Sequence, residues 1–588
     1  MTIHTANRLF THSGGSNLLK AFVHVFLLIS VSVTISACSG GSDNASEQVP
    51  ATPVAPAPTP APAPAPPPTP EQLWEQRVEA ARLLSQTTFG PTLKDIESVV
   101  ELGQEQWLNA QLAMPATSHL ETLKQLESTL VDDEEIWRLH RMEAWWQSAL
   151  YGEDQLRQRV AFALSQLMVI SERSNFFDEH EAIVNYYDLL AKNAFGNYRV
   201  LLEEVTLSPL MGMYLSMLGN EKADEDKNIR PDENFAREVM QLFSIGLVEL
   251  NLDASAKLDE NNQPIATYDQ TSIENYAKVF TGWHFNGTSE QSWYKYWENY
   301  NTLAPMTAVE TRHDKSEKTL LNGVIVPANQ SAEQDLKMAL DSLFNHPNLA
   351  PFVAKHLIMR LVTSNPTPEY IARVASVFND NGAGVRGDLS AVVKALIMDA
   401  EAREGHMTMP ERFGKIKEPI LKGTHLWRAF LASHVDGRIK QAWPEYYFNQ
   451  APLAAPSVFN FYLPDYTAAG ELADANMRSP ELQIVTETFA VRQTNFMAYF
   501  GLWSYINKPD GVDADAIVLD FSPQAALVDD PDALIDELNL LLMSGRMSEN
   551  YQAILKEALI EGGGRNDSER IANLVFLITA SPQFALQH

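Results

Sequence analysis

Apolar residues recur every three to four positions through most of the chain, the spacing that places them on one face of a helix. Leu156, Val160, Ala163, Leu164, Leu167 and Met168 form one such stripe. Phe235, Val239, Leu242 and Phe243 form another, closed by Gly246, the residue type that most readily ends a helix. Ile273, Tyr276, Ala277 and Phe280 follow Asp269, a good helix N-cap. The same spacing runs through 348–362, 368–380, 387–399, 477–500, 530–543 and 566–579.

Two stretches break the period. Leu247 to Tyr268 and Phe285 to Val326 carry short alternating runs, turn residues and many aromatics. They read as hairpins and loops inserted between helices. The tip at Asp259-Glu-Asn-Asn-Gln-Pro264 has the alternating oxygens of a calcium loop but not its turn glycine, so a hairpin tip is the better reading. No internal repeat is evident. The expectation is a mainly α fold: a large multi-helical body over 71–588 with a small β-hairpin and loop insert.

The N-terminus is different in kind. Residues 1–37 hold no Asp or Glu, and Arg8 and Lys20 precede an apolar run that begins at Ala21. The run is short for a membrane span, which needs roughly 20 apolar residues, and suits a signal-peptide core. It ends in Ile35-Ser36-Ala37-Cys38, similar to the bacterial lipobox: an aliphatic residue, two small ones, then Cys. Cys38 is the only cysteine in 588 residues, so it can close no internal disulfide, although the leader points to export. Lipidation of Cys38 accounts for both facts; the other reading, a free thiol in a transmembrane anchor, would need a longer apolar run. Ser39, rather than Asp, after the cysteine is the pattern of outer-membrane sorting.

Residues 38–70 then read as a disordered tether. The segment Pro50–Pro70 holds 11 of the 33 prolines, alternating with Ala and Thr. Such a tract makes neither helix nor sheet ladder and extends as polyproline II, at ~3.1 Å per residue or about 65 Å in all. Removing residues 1–37 takes away two cations and no acid, so the formal net charge moves from −31 to −33. A surface this acidic repels nucleic acid and anionic headgroups, and leaves neutral glycans, cations and basic partners as candidates.

Candidate chemistry gathers at a few places. Asn234, Arg237, Glu238 and Gln241 stand at i, i+3, i+4 and i+7, so they share a helix face opposite the apolar stripe. Glu238 is a candidate acid, base or cation ligand, and Arg237 a candidate anion clamp. The competing reading is a buried ion-pair network between helices involving Arg157 or Arg159, two cations on an otherwise apolar helix. His313-Asp314, near Lys318 and Trp283, pairs an imidazole with a carboxylate that can fix its tautomer; a loop-stabilising role is the alternative. His284 can join His313 only through the fold. No second His follows at zinc-ligand spacing, so no metal site is expected, and no cofactor can be named. Aromatics crowd at Trp293-Tyr-Lys-Tyr-Trp297 and Phe459-Asn-Phe-Tyr462, either as core or as a platform for sugar rings. The chain has no Gly-x-Ser-x-Gly elbow, phosphate-binding glycine loop or dinucleotide fingerprint.

Several stretches also carry a resemblance. They are Arg82-Leu-Leu-Ser-Gln-Thr-Thr-Phe-Gly90, Gln155-Leu-Arg-Gln-Arg-Val-Ala-Phe-Ala-Leu-Ser165, Tyr187-Asp-Leu-Leu-Ala-Lys-Asn-Ala-Phe-Gly-Asn197 and Pro231-Asp-Glu-Asn-Phe-Ala-Arg-Glu238. Further along come Phe280-Thr-Gly-Trp283, His313-Asp314 with Lys318, Gly414-Lys-Ile-Lys-Glu-Pro419 and Pro456-Ser-Val-Phe-Asn-Phe-Tyr462. Together they resemble a bacterial family, domain of unknown function 1800, over nearly the whole body. Asp232 stands where the family pattern has Asn, and either residue caps a helix. The resemblance brings no catalytic residues. It implies an exported helical protein, and a possible exported partner of the family called domain of unknown function 1501, which is similar to sulfatases and alkaline phosphatases.

Two functions follow as expectations. One is a lipid-tethered envelope module that binds another exported protein or a surface polysaccharide. The alternative is a hydrolase of envelope polysaccharide or of phosphate or sulfate esters, using Glu238 and His313 with Arg237 or Arg157 holding an anion.

Overall fold

Helices begin where the chain leaves its proline tract. In the computed structural model, which describes residues 67–131, 134–506 and 516–588, the first helix is Pro70–Thr87. Thr69 caps it, accepting from the Gln72 amide while the Gln72 side chain reaches back, and Pro70 occupies the first turn, where a missing N–H costs nothing. The leader, Cys38 and most of the tether lie outside the described residues. Pro68 to His588 form one compact unit.

The amphipathic stripes are helices, as their period predicts. Gln155–Ser165 buries Leu156, Val160, Ala163 and Leu164. Leu349–Leu361, Pro368–Asn379, Leu389–Met398, Pro531–Met543 and Asp567–Thr579 match the predicted stretches to within a few residues. Asp269 caps Gln270–Val279 by accepting from the Ser272 amide at 2.8 Å. Asn234–Gln241 is shorter than its stripe, but the chain continues in turns to Gly246, which at φ +70° donates its N–H to the Met240 carbonyl. The stretch 477–500 differs more: Pro480–Ile484 is a 3-10 turn, and the α-helix there begins only at Glu487.

The inserts are hairpins. Val248 pairs with Ala266, Leu250 with Ala256 and Leu258 with Pro264 around a tip where Asp259 accepts from the Asn261 and Gln263 amides. Trp283–His284 pairs with Thr307–Ala308, and Lys318–Thr319 with Ile325–Val326, both antiparallel. A third ladder joins distant parts of the chain: Lys415–Ile416 lies antiparallel to Leu586–Gln587. Among the described residues the sheets are all two-stranded, and no helix is long and apolar enough to cross a membrane.

Candidate functional site

The helix Asn234–Gln241 is set at its entry by two short side chains. Asn220 accepts the Asp232 N–H at 2.8 Å, and Asp232 accepts the Asn234 N–H at 2.8 Å. Beyond them, the four polar residues have different surroundings. Asn234 is exposed. Arg237 pairs with Glu233 at 3.0 Å, and Gln270 donates to the same carboxylate. Gln241 accepts from the Tyr268 hydroxyl at 3.4 Å. Glu238 is buried, and its Oε2 has no hydrogen-bond partner. Burial lifts its carboxyl above the ordinary glutamate value, with Arg237 pulling the other way. Burial and the Glu238 charge in turn push the neighbouring Tyr214 hydroxyl up to about 12.

Neither arginine of the 155–165 helix serves Glu238. Arg157 donates to the Met114 and Ala191 carbonyls and lies over the Phe195 ring at 4.4 Å. Arg159 is fully buried and donates to the Arg360 carbonyl at 3.1 Å.

His313 is also fully buried. Its Nδ1 faces the Thr281 carbonyl at 2.9 Å and its Nε2 faces Asp335 at 3.1 Å. Lys318 joins the same Asp335 oxygen at 2.7 Å and also donates to the Asp314 and Ser316 carbonyls. Asp314 is turned to its own loop, where it accepts from the Ser316 amide. The carboxylate that fixes His313 is therefore Asp335, in the first turn of Ala332–Phe344, and not the adjacent Asp314. Gly282, at φ +87°, backs directly onto His313: a Cβ there would stand 3.0 Å from the His313 amide nitrogen. Trp283 is buried beside them, and His284 turns its Nδ1 to the Phe285 amide. The polar contacts of His313 and those of Glu238 share no residue.

A second buried charge centre includes Arg159, expected in a buried ion-pair network, but its acids are Glu418 and Glu481 rather than Glu238. Arg159, Arg360, Lys415, Glu418, Glu481 and Tyr462 come together from stretches far apart in the chain. Lys415 lies 3.1 Å from Glu481 and donates to the Met359 and Arg360 carbonyls. Glu418 accepts from Gln166 at 2.8 Å and from Gln450 at 2.6 Å. Arg360 lies over the Tyr462 ring at 4.4 Å. Arg159 Nε and Nη1, Glu418 Oε1, Asn460 Oδ1 and Tyr462 Oη all lack hydrogen-bond partners. Burial lowers the Lys415 ammonium and raises the Tyr462 hydroxyl.

The two aromatic clusters part company. Phe461 and Tyr462 are core. In the other cluster Trp293 is buried against His284, at 4.9 Å between ring centres, whereas Tyr294, Tyr296, Trp297 and Tyr300 are 60, 55, 64 and 43% exposed. Their loop is pinned from below. Arg312 lies over Trp293 and Tyr294 and pairs with Glu221 at 2.5 Å and Glu290 at 2.6 Å. Tyr300 donates to Glu179 at 2.5 Å and packs on Phe285.

The model of the family described as a protein of unknown function, DUF1800, matches residues 82–586. The chain belongs to this family. No curated protein matches it, and neither does any solved structure. In this DUF1800 member the matched span takes in both buried charge centres, the Glu238 face and the aromatic loop. Among its described residues no group of three His, Cys, Asp or Glu could hold a metal ion.

Proposed function

We propose that this DUF1800 protein is a lipid-anchored envelope module that binds neutral polysaccharide through the exposed rings of residues 294–300. The pinned aromatic loop carries the reading. Four accessible rings lie within seven residues, and two of them, Tyr294 and Tyr300, are held by Arg312 and Glu179, so part of the ordering precedes a ligand. Sugar C–H faces stack on such rings, and the bordering carboxylates Glu290 and Glu298, paired with Arg312 and Lys295, keep further lone pairs for sugar hydroxyls. The lipobox at Cys38 and the proline tract behind it support display at the end of a tether.

The full chain in detergent micelles tests this by sedimentation with insoluble neutral polysaccharides. Trp297→Ala should weaken binding at least tenfold without changing the melting temperature; unchanged binding refutes the platform. An exported partner of the domain of unknown function 1501 family, implied by the resemblance, is the competing occupant. Co-purification with such a protein, lost in Trp297→Ala and with no polysaccharide binding, would transfer the patch to it. Labelled palmitate retained on the chain and lost in Cys38→Ala tests the anchor.

A hydrolase remains the second reading because of Glu238. A buried carboxyl with one oxygen free of hydrogen bonds, its pKa raised by burial, is shifted in the direction a general acid needs. His313 takes no part in this version, because Thr281 and Asp335 occupy both ring nitrogens. Polysaccharide or ester hydrolysis abolished by Glu238→Gln, with binding retained, is its signature.

A further inference from the structure

The helices His119–Glu127 and Arg138–Tyr151 pack side by side, and with the turn at Gly152–Asp154 they wall an open groove of about 630 Å³. That volume is in the range of small-molecule sites. The groove shares no residue with the aromatic loop.

Its lining is net acidic, with Glu143, Glu153 and Asp154 set against the single cation Arg438. Glu143 is buried and held by the Arg438 guanidinium through Nε and Nη2. Asp154 is buried and accepts from the Thr117 amide at 2.8 Å, the Thr117 hydroxyl at 2.7 Å and Gln158 at 3.0 Å. The wall's one cation is thus spent on Glu143, so an anionic ligand would meet no free positive charge and three carboxylates. Glu153, exposed on the turn in the same lining, presents further carboxylate oxygens that accept from hydroxyl donors.

The wall also offers uncharged hydrogen-bonding groups. Thr122, Gln125 and Gln147 supply hydroxyl and amide groups at the rim, and carboxylate oxygens have lone pairs beyond those used. Ser148, 3% exposed in the same wall, has a hydroxyl with no partner, a buried polar group whose cost a ligand hydroxyl would offset. Between these groups Met114 and Leu126 give apolar surface for C–H faces. Alternating hydroxyls and C–H faces are the surface of a sugar.

We infer that this groove is a binding site for a short neutral oligosaccharide, separate from the aromatic platform. The inference takes its ligand class from the polysaccharide reading but stands on different residues. Titration calorimetry of the full chain in detergent, with maltotriose, cellotriose, xylotriose and chitotriose as probes and trigalacturonate as the anionic control, tests it. At least one neutral trisaccharide should bind saturably. Gln147→Trp, which fills the groove from an exposed position, should weaken it at least tenfold, and Trp297→Ala should leave it within twofold. Thr122→Trp serves the same purpose should circular dichroism show Gln147→Trp misfolded. Saturable binding to none of the neutral probes, binding of trigalacturonate alone, or wild-type affinity in a folded groove-filling variant overturns the site. Loss in Trp297→Ala with no loss in Gln147→Trp moves the trisaccharide to the platform. Trisaccharide binding at the groove beside polysaccharide binding indifferent to Trp297→Ala would sink the platform and keep the groove.

Discussion

Lys318 Nζ lies 2.7 Å from a carboxylate oxygen of Asp335, and neither side chain reaches solvent. His313 shares that oxygen at 3.1 Å. One buried acid thus anchors two of the three functional candidates of the 313–318 loop, His313 and Lys318, to the helix Ala332–Phe344. Removing it strands the Lys318 ammonium in the interior, a loss of ~3–5 kcal/mol for a broken buried pair. Asp335→Leu should lower stability by that amount in urea unfolding, and adding Lys318→Met should recover part of it. A loss under ~1 kcal/mol from Asp335→Leu alone would show that the pair contributes nothing.

The contrast between Asp314 and Asp335 shows which features could be read from the chain. Helices such as Leu349–Leu361 and caps such as Asp269 depend on neighbours three or four residues away, so periodicity reveals them. The partner of His313 lies 22 residues on, across a hairpin, with no local pattern to mark it. The second charge centre is further from reach, since the charge of Glu418 acting on Arg159 and the pairing of Lys415 with Glu481 arise only in the assembled fold. Family resemblance picked out the stretches that hold Arg159, Glu418 and Tyr462 but not that they meet. In the aromatic cluster, density alone could not separate buried Trp293 from exposed Trp297; the position of Arg312 decides it.

Gly90 carries a backbone constraint that its neighbours in the Thr-Thr-Phe-Gly stretch do not. At φ +140°, a Cβ would stand 2.6 Å from the Cα of His425, which is backbone and cannot rotate away. His425 is itself fixed: its Nε2–H donates to the Leu541 carbonyl at 2.8 Å, and its Nδ1 lies 2.9 Å from Lys417 Nζ. Gly90→Ala should therefore cost about 3 kcal/mol or more, read from the urea midpoint. Gly103, which has positive φ but open space around it, should lose markedly less on the same change.

The second charge centre holds three cations, Arg159, Arg360 and Lys415, against two acids, Glu418 and Glu481. The surplus sets an order of sensitivity. Glu418→Gln leaves three cations facing one acid and should cost ~3–5 kcal/mol. Arg159→Met removes the cation with two unpartnered nitrogens and balances the centre, so it should cost less than ~2 kcal/mol. Chemical denaturation of both variants decides the matter, and equal losses would refute this charge accounting.

Glu238 differs from these acids in having no cation seated on it, and that fixes the sign of its pH effect. Its folded pKa lies above its unfolded one because burial disfavours the carboxylate. Between the two values the folded chain keeps a proton that the unfolded chain has released. Stability attributable to this group therefore falls as pH rises through that window and stays low above it. Glu238→Gln removes the titration, so the variant should be more stable than wild type near pH 7, with the gap narrowing as pH drops toward about 4. Urea unfolding of both proteins across that range measures it, and parallel stability profiles would show that the carboxyl is solvated in the folded state. The same variant bears on function. A gain in stability with loss of hydrolysis marks a group held under strain for chemistry, whereas a gain with polysaccharide binding intact and no hydrolysis in either protein leaves the exposed rings, and not Glu238, as the working part of the molecule.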